Sequence, residues 1–375
     1  MARPSGETGA GAGGAGRGPA AMTTAGGGAG GGGTPAMGGS GGADAGGEPR
    51  PEDMASGAGE AGLADALAPA RDADPAPQAV PAALLAVGTH CPSGQGYGDP
   101  LPANPTIKMI KSGFSTTEGP VWHAGQQALF FTEFEGRAGR IHKYTPGDGK
   151  FIVFVNNVGV NGLALAPDGG LVAASQDMQR LTRFDVDTGM RSEVAGSASF
   201  MNRPFNAVND VLVRGDGNMY FTDPTFLNEG RPGQGATAYY RLSPAGEVTR
   251  LGTGPQPNSL GISPDGRWLY ITSSGAGDAK VWRHPLLADG SVGERTDFLS
   301  ARSEGLAIDC AGNLYLSAAG KISVYTASGS MIRSFGNIAA GITSLAIGGP
   351  TEMTLYITAR GAIYETMLNV PGLPN

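Results

Sequence analysis

The sequence has few of the residues on which several classes of site depend. It contains two cysteines and four histidines, and neither cysteine lies in a Cys/His cluster with the spacing of a zinc site. No apolar run approaches the ~18 residues that a membrane-spanning helix needs. No apolar segment typical of a signal peptide occurs near the start. We therefore expect neither a zinc site nor a transmembrane segment.

Aromatic residues and lysine are absent from the beginning of the chain. The first aromatic residue is Tyr97, the first lysine is Lys108, and 20 of the first 50 residues are glycine. Such a composition cannot bury enough apolar surface to offset the entropy of ordering the chain. We predict a disordered Gly/Ala/Pro-rich linker over residues 1–88 and one folded domain over residues 89–375.

The folded part also lacks an excess of charge of either sign. Residues 100–375 contain 22 basic and 23 acidic side chains, so most of the net charge of −7 comes from the linker. There is no basic block of the kind that binds a phosphate backbone, so nucleic acid is not an expected partner. A monomer that acts on a small molecule is favoured.

The two cysteines and the linker are relevant to the cellular location of the protein. Cys91 and Cys310 are either two separate thiols or, if the protein is exported, a disulfide. A long Gly/Ala/Pro segment before a compact domain is typical of a chain held away from a surface. Export or tethering to a surface is therefore one interpretation.

Six similar segments recur along the folded part. Each has a polar residue, a short apolar strand, a turn rich in Gly, Pro or Asp, and a second strand, as in NSLGISPDGRWLYITS; the second strand is aromatic in five of the six. We call the polar residue that begins each segment its opener. The openers are Glu118, Asn161, Asn209, Asn258, Glu304 and Thr343.

The repeat length identifies the architecture. Further strand-like stretches follow each pair, so a repeat contains about four strands, and no helical periodicity is present. Four strands every ~45 residues predict an all-β fold, a β-propeller of six four-stranded blades. The segments at 106–114 and 362–368, from opposite ends of the domain, are expected to complete one blade together.

The openers share a chemistry. All six carry a side-chain oxygen and none is cationic, and the first strand of a propeller blade lines the central channel. Calcium takes six to eight oxygen ligands in flexible geometry, and two carboxylates would balance its charge. We predict Glu118, Asn209, Asn258 and Glu304 as ligands of Ca²⁺ or another divalent cation. Asn161 is a weaker candidate ligand, Thr343 is expected to be structural, and each asparagine alone is also a common turn cap.

The same motifs resemble a known family. TTEGPVW, NGLALAPDG, FNAVNDVLV, PNSLGISPDG and SEGLAIDCAGN are similar to sequences of the gluconolactonase, or senescence marker protein (regucalcin), family. The resemblance implies a six-bladed propeller with a divalent metal, usually calcium, in its channel, and hydrolysis of sugar lactones. It places the metal ligands on Glu118, Asn209, Asn258 and Glu304. At Glu304 the family usually has Asp, which is also its candidate base.

We therefore predict a calcium-dependent hydrolase of a lactone or related ester. Glu304 is the candidate base, and Asn161 and Asn206 are expected to orient substrate hydroxyls. Phe205 and Phe226, together with Phe134, are candidates for an apolar wall. Other departures from the family, Ala207, Ser273 and the pair Ser175-Gln176, concern the substrate rather than the fold.

Two alternatives remain open. One is a propeller that binds sugar or protein through calcium without catalysis, which the change at Glu304 favours. The other is an organophosphate hydrolase on the same metal site. A Ser-His-Asp enzyme is disfavoured, because the folded part has no nucleophile-elbow motif and its histidines occupy no repeated position.

Overall fold

The computed structural model describes residues 91, 96–225, 230–277 and 279–373. The linker predicted for residues 1–88 lies outside the described residues. In the described part, no helix has the length and apolar character needed to cross a membrane.

The regular secondary structure of the described residues is almost entirely β-strand, as the alternation of apolar and polar residues predicts. One 3₁₀ turn, Ala124–Gln126, joins the first two strands. The strands are β1 Lys108–His123, β2 Ala128–Phe134, β3 Arg140–Thr145, β4 Lys150–Asn156, β5 Val160–Leu165, β6 Leu171–Ser175, β7 Arg180–Phe184, β8 Arg191–Glu193, β9 Val211–Val213, β10 Met219–Asp223, β11 Ala238–Leu242, β12 Val248–Thr253, β13 Pro257–Ile262, β14 Trp268–Ser273, β15 Val281–Pro285, β16 Thr296–Leu299, β17 Leu306–Ile308, β18 Leu314–Ala318, β19 Lys321–Tyr325, β20 Met331–Phe335, β21 Ile342–Gly348 and β22 Thr354–Met367.

The strands form a β-propeller with four-stranded antiparallel blades. Four sheets have the orders β5-β6-β7-β8, β9-β10-β11-β12, β13-β14-β15-β16 and β17-β18-β19-β20. Each innermost strand lies beside that of the next repeat, in the ring β1, β5, β9, β13, β17, β21 and back to β1. The first strand of every repeat therefore faces the axis, as predicted.

The number of sheets differs from the predicted six. The strands form five sheets, because those of the first and last repeats are joined edge to edge in the order β21-β22-β1-β2-β3-β4. The long strand β1 changes partner along its length: its residue Lys108 pairs with Glu365 on β22, whereas its residue Glu118 pairs with Thr132 on β2. The expected pairing between the two ends of the domain is present, but it fuses two repeats into one sheet.

Within β22 the chain reverses direction near Gly361. Thr354 and Met367, at its two ends, approach to 3.7 Å between Oγ1 and Sδ, and Leu368 N donates to Met353 O at 2.8 Å. Thr117 Oγ1 donates to the carbonyl oxygens of both Ala359 and Ala362. These contacts bring the two halves of β22 alongside each other as a hairpin.

The core consists of apolar clusters between adjacent sheets. Val121 and Phe130 of the first repeat pack with Leu163 and Ala173 of the second, for example, and all four side chains are buried. Burial of apolar area contributes about 25 cal/mol per Å². Because every blade packs only against its neighbours, this stabilisation holds the ring closed around the axis.

Cys91 and Cys310 form a disulfide, which decides between the two alternatives left open by the sequence. Their Cα atoms lie 5.3 Å apart although 219 residues separate them in the chain. Cys310 is buried beside Val370 and Leu373 of the C-terminal segment, and Cys91 packs against the same cluster. The disulfide thus ties the beginning of the described chain to the fifth repeat.

Candidate functional site

The openers lie at irregularities of the innermost strands. The pairing of β1 with β2 shifts between Glu118 and Val121, and that of β13 with β14 shifts between Pro257 and Leu260. A bulge of this kind bends a strand and redirects a side chain. The irregular pairing allows the opener to point into the channel, while the apolar residues that follow it remain in the core.

In the third to fifth repeats a hydroxyl group on the neighbouring strand holds the main chain just after the opener. Thr222 Oγ1, Thr272 Oγ1 and Ser317 Oγ accept hydrogen bonds of 2.8–3.0 Å from main-chain N–H groups. The donors are the residues that directly follow the openers. Each of these hydroxyls directly precedes the last residue of its strand, a repeated signal that the sequence analysis did not use.

The residue after the opener is small where the next blade approaches. A Cβ atom on Gly119 would lie 2.3 Å from Asn161 O, and one on Gly162 would lie 2.3 Å from Asp210 Oδ1. Gly119 also has a φ of +44°, in the left-handed region that favours glycine. The Glu-Gly and Asn-Gly pairs in the sequence are therefore what lets neighbouring openers come close together.

All six openers line one cavity at the end of the channel. Its volume is about 630 Å³, which lies in the range of small-molecule sites. The other lining residues are Thr116, Phe134, Gln256, Ser274, Gly275, Ala276, Arg302 and Arg360. The structure thus brings together Glu118, Asn161, Asn209, Asn258 and Glu304, which are scattered over the sequence.

Glu118 is the most perturbed carboxyl group of the cavity. Burial and, to a smaller extent, the nearby carboxylates of Glu304 and Asp210 raise its pKa to about 8, against an opposing effect of Arg360. Two carboxylates that face one another repel unless a cation or a proton separates them. The arrangement of Glu118 and Glu304 therefore favours a bound cation.

Glu304 is more accessible than Glu118. About a third of its side chain is exposed, and Oε1 lies 3.3 Å from the guanidinium of Arg302. Its main-chain N–H donates to Ser317 O at 3.2 Å, which holds the residue at the start of the fifth repeat. The carboxylate of Glu304 therefore lines the cavity and is partly open to it.

The amide side chains of the ring line the cavity. Asn161 and Asn209 are buried, and neither side chain makes a hydrogen bond to another described residue. Their main chains are fixed, since Thr132 Oγ1 donates to Asn161 O and Asn209 N donates to Thr222 O. Buried amides without a partner are expected to bind a ligand or an ion.

Asp210 is a third carboxylate near the axis that the sequence analysis missed. Its oxygens accept hydrogen bonds from Val211 N, Ser259 Oγ and Leu260 N at 2.8–3.2 Å, and burial raises its pKa to about 6. It thus joins the third repeat to the fourth beneath the ring of openers. The Asn-Asp pair at 209–210 was the available signal, but only its first member was assigned a role.

Two residues predicted to contact substrate, Phe205 and Asn206, are not in the cavity lining. Phe205 is fully buried in the core against Phe221 and Tyr240. Asn206 is also buried, and its amide donates to Asp223 Oδ2 and Ala236 O, so it braces a loop. Phe226 lies outside the described residues. Phe134 does line the cavity, as expected of an apolar wall.

Two other acidic residues at strand ends act as braces. Glu133 accepts hydrogen bonds from Ser115 N at 2.9 Å and from Arg140, and His142 Nε2 lies 2.7 Å from it. Asp223 accepts from the main-chain N–H groups of Asn206 and Ala207, each at 2.9 Å. Neither residue lines the cavity, and both hold adjoining loops through these hydrogen bonds.

The described residues contain no group of three or more His, Cys, Asp and Glu side chains placed to hold a metal ion. The oxygen donors at the axis are instead two glutamates and three asparagines, with Thr343 beside them. This set contains none of the cysteine and histidine side chains that zinc prefers, and it consists of the oxygen ligands that calcium prefers. The fit is therefore to an oxygen-bound cation.

Comparison with known proteins gives concordant results. Residues 116–361 match the family model described as SMP-30/Gluconolactonase/LRE-like region. A gluconolactonase of Zymomonas mobilis is 28% identical over 69% of this chain and 80% of its own, and the pentonolactonase XacC of Haloferax volcanii is 30% identical over 68% and 84%.

A solved structure has the same fold. The calcium-binding protein regucalcin from Agrobacterium tumefaciens superposes with a TM-score of 0.61 at 21% identity, over 72% of this chain and 96% of its own. The match of the family model spans the six repeats and the ring of openers. This chain accordingly belongs to the SMP-30/gluconolactonase/LRE-like family.

Proposed function

We propose that this protein hydrolyses a sugar lactone or a related ester in the cavity at the end of the propeller channel. The observation that carries the proposal is the convergence of Glu118, Asn209, Asn258 and Glu304 on the floor of one cavity of about 630 Å³. Relatives named as lactonases match this chain over most of its propeller.

Glu118, Asn209, Asn258 and Glu304 are the residues that would hold a divalent cation, and Ca²⁺ is the best match. Both charged members are carboxylates, all donors are oxygens, and the high pKa of Glu118 reflects burial next to like charges that a cation would relieve. When bound there, the cation would polarise the lactone carbonyl as a Lewis acid.

The protein's own groups supply the remaining chemistry. Glu304, partly exposed to the cavity, takes a proton from the water that attacks the acyl carbon. The bond from this carbon to the ring oxygen then breaks, and the ring oxygen takes the proton back from Glu304 and leaves as a hydroxyl group. Asn161 is placed to hydrogen-bond substrate hydroxyls, and Phe134 presents an apolar surface to the sugar ring.

We also propose that the six-stranded sheet corresponds to two blades, so that the propeller has six. In support, the two halves of β22 lie alongside each other as a hairpin, and β1 changes partner from β22 to β2. Trp122 of β1 stacks on Tyr356 of β22 with ring centroids 5.8 Å apart, in an apolar cluster like those between the other sheets.

The function is tested by titrating the acid released from gluconolactone and a pentonolactone, with added Ca²⁺ and with a chelator. We expect turnover that the chelator abolishes and Ca²⁺ restores. Asn209→Ala should lose activity, whereas Asn104→Ala, an exposed position away from the cavity, should not. Hydrolysis that is indifferent to chelation would refute the metal, and turnover of phosphotriesters alone would favour the organophosphate alternative.

A further inference from the structure

Two arginine side chains line the cavity at positions outside the repeated pattern. Arg302 precedes β17 by a few residues, and its side chain is 57% exposed. Arg360 lies where β22 reverses and is also exposed. The two come from neighbouring repeats, the fifth and the sixth, so they stand on the same side of the ring of openers.

Neither guanidinium is fully used by the protein. Arg302 makes one ion pair in the cavity, to Glu304 Oε1 at 3.3 Å. Arg360 makes no side-chain hydrogen bond or ion pair to another described residue, although its charge lowers the pKa of Glu118. A guanidinium carries five N–H donors in a planar fork that suits two-point binding of carboxylate or phosphate.

The balance of charge in the cavity points to an anionic ligand. Its lining contains two glutamates and two arginines, and the carboxylate of Asp210 lies beneath the ring of openers. If the glutamates balance a divalent cation, as the proposed function requires, the two arginines exceed the one remaining carboxylate, whose oxygens already accept hydrogen bonds from the protein. A neutral sugar lactone offers them no counter-charge, whereas an anionic one does.

We propose that the lactone substrate carries an anionic group, a carboxylate or a phosphate ester, which Arg302 and Arg360 bind while the acyl carbon lies over Glu118 and Glu304. This inference rests on the proposed function and specifies its substrate class. The volume of about 630 Å³ accommodates a hexose lactone with such a group attached. The two arginines are then residues that determine specificity and take no part in bond breaking.

The test compares three lactones that share a sugar skeleton. They are gluconolactone, its derivative with a phosphate on the primary hydroxyl, and the monolactone of glucaric acid, which carries a carboxylate. We expect wild-type kcat/KM to be about tenfold higher or more for at least one anionic lactone than for gluconolactone, and this advantage to shrink as salt is added. The two anionic probes distinguish phosphate from carboxylate.

The variants are Arg302→Gln, Arg360→Gln and the double substitution, with Arg191→Gln as the control. Arg191 is exposed on β8 and does not line the cavity. We expect the double variant to reduce the ratio of anionic to neutral kcat/KM by about tenfold or more, chiefly through KM. Equal losses on all three lactones would overturn the proposal and show that the arginines only screen the glutamates.

A wild type that prefers gluconolactone would overturn it as well. If no lactone is hydrolysed at all, the proposed function fails by itself. Calorimetric binding of the same three lactones to the wild type and the double variant then decides the role of the arginines. Tighter binding of an anionic lactone that depends on both arginines supports the inference, and equal binding contradicts it.

Discussion

Ser274 Oγ lies between the side-chain amide of Asn258 and a main-chain carbonyl. Asn258 Nδ2 donates to Ser274 Oγ at 3.0 Å, and Ser274 Oγ donates to Gln256 O at 3.5 Å. Because the hydroxyl donates its hydrogen to Gln256 O, it accepts the hydrogen bond from Asn258 Nδ2, and this contact fixes the orientation of the amide. The carbonyl oxygen of Asn258 is then the atom left for a ligand in the cavity.

Ser274→Ala should consequently weaken Ca²⁺ binding without removing any predicted ligand. Residues that orient a ligand contribute about 10–100-fold to metal affinity, and we expect a loss near the lower end of that range. Calorimetric titration with Ca²⁺ measures the effect. The control is Ser273→Ala, because Ser273 Oγ donates to Pro255 O and does not touch Asn258. Equal affinity in both variants would argue against Asn258 as a ligand.

Glu118→Gln is expected to remove most of the stabilisation that Ca²⁺ confers. A ligand that binds only the native state raises Tm through linkage, and the substitution deletes one of the two carboxylates that balance the ion. Because the free carboxyl group is destabilised by burial, Glu118→Gln should melt no lower than the wild type in chelator. Thermal unfolding with and without Ca²⁺ tests both statements. A Ca²⁺-induced rise in Tm equal to that of the wild type would remove Glu118 from the site.

The ring of openers could be predicted from the sequence because each opener recurs at one place in a repeated pattern. Glu118 and Glu304 are far apart in the chain, yet their equivalence in the repeat places both at the axis, and the structure does so. The antiparallel strands of each blade followed in the same way from alternation and turn residues.

Features outside the repeat could not be predicted. Arg302 and Arg360 reach the cavity from a connection and a hairpin turn, whose shapes depend on contacts between repeats. Asn206 precedes an Asn-Asp motif, but whether it faces the cavity or the wall is decided by the distant Asp223. The fusion of the first and last repeats into one sheet likewise depends on edge pairing, which a strand sequence does not specify.

Asp223 should make stability fall as the pH rises. Burial raises the pKa of this carboxyl group from 3.8 to about 7, so between these values the native state holds a proton that the unfolded state releases. The free energy of unfolding then decreases with pH by up to about 1.4 kcal/mol per pH unit. Asp223→Asn should flatten this dependence, whereas Asp148→Asn, in an exposed turn, should not. Urea unfolding at several pH values between about 4 and 7 gives the slopes, and parallel curves for Asp223→Asn and wild type would contradict the assignment.

Removing the disulfide should destabilise the propeller without changing its cavity. Cys91 and Cys310 close a loop of 219 residues, and a native disulfide typically contributes about 2–5 kcal/mol. We expect Cys91→Ser/Cys310→Ser, and the reduced wild type, to unfold at lower urea concentrations than the oxidised protein. Neither cysteine lines the cavity, so KM should be unaffected. The same urea midpoint in oxidised and reduced protein would show that packing alone holds this end of the chain.

Glu304 is assigned two roles, and substitutions can separate them. Glu304→Gln keeps a ligand oxygen but cannot accept a proton, so it should lose about 10²–10⁴ in kcat and much less in Ca²⁺ affinity. Glu304→Asp keeps the charge on a shorter side chain, and should retain a higher kcat than Glu304→Gln if the carboxylate is the base.

Glu294→Gln, at an exposed position outside the cavity lining, is the control. The measurements are kcat at saturating Ca²⁺ on the best lactone and calorimetric Ca²⁺ affinity for each variant. An unchanged kcat in Glu304→Gln would eliminate Glu304 as the base. A parallel loss of kcat and Ca²⁺ affinity, with kcat recovered at high Ca²⁺, would leave it as a ligand only.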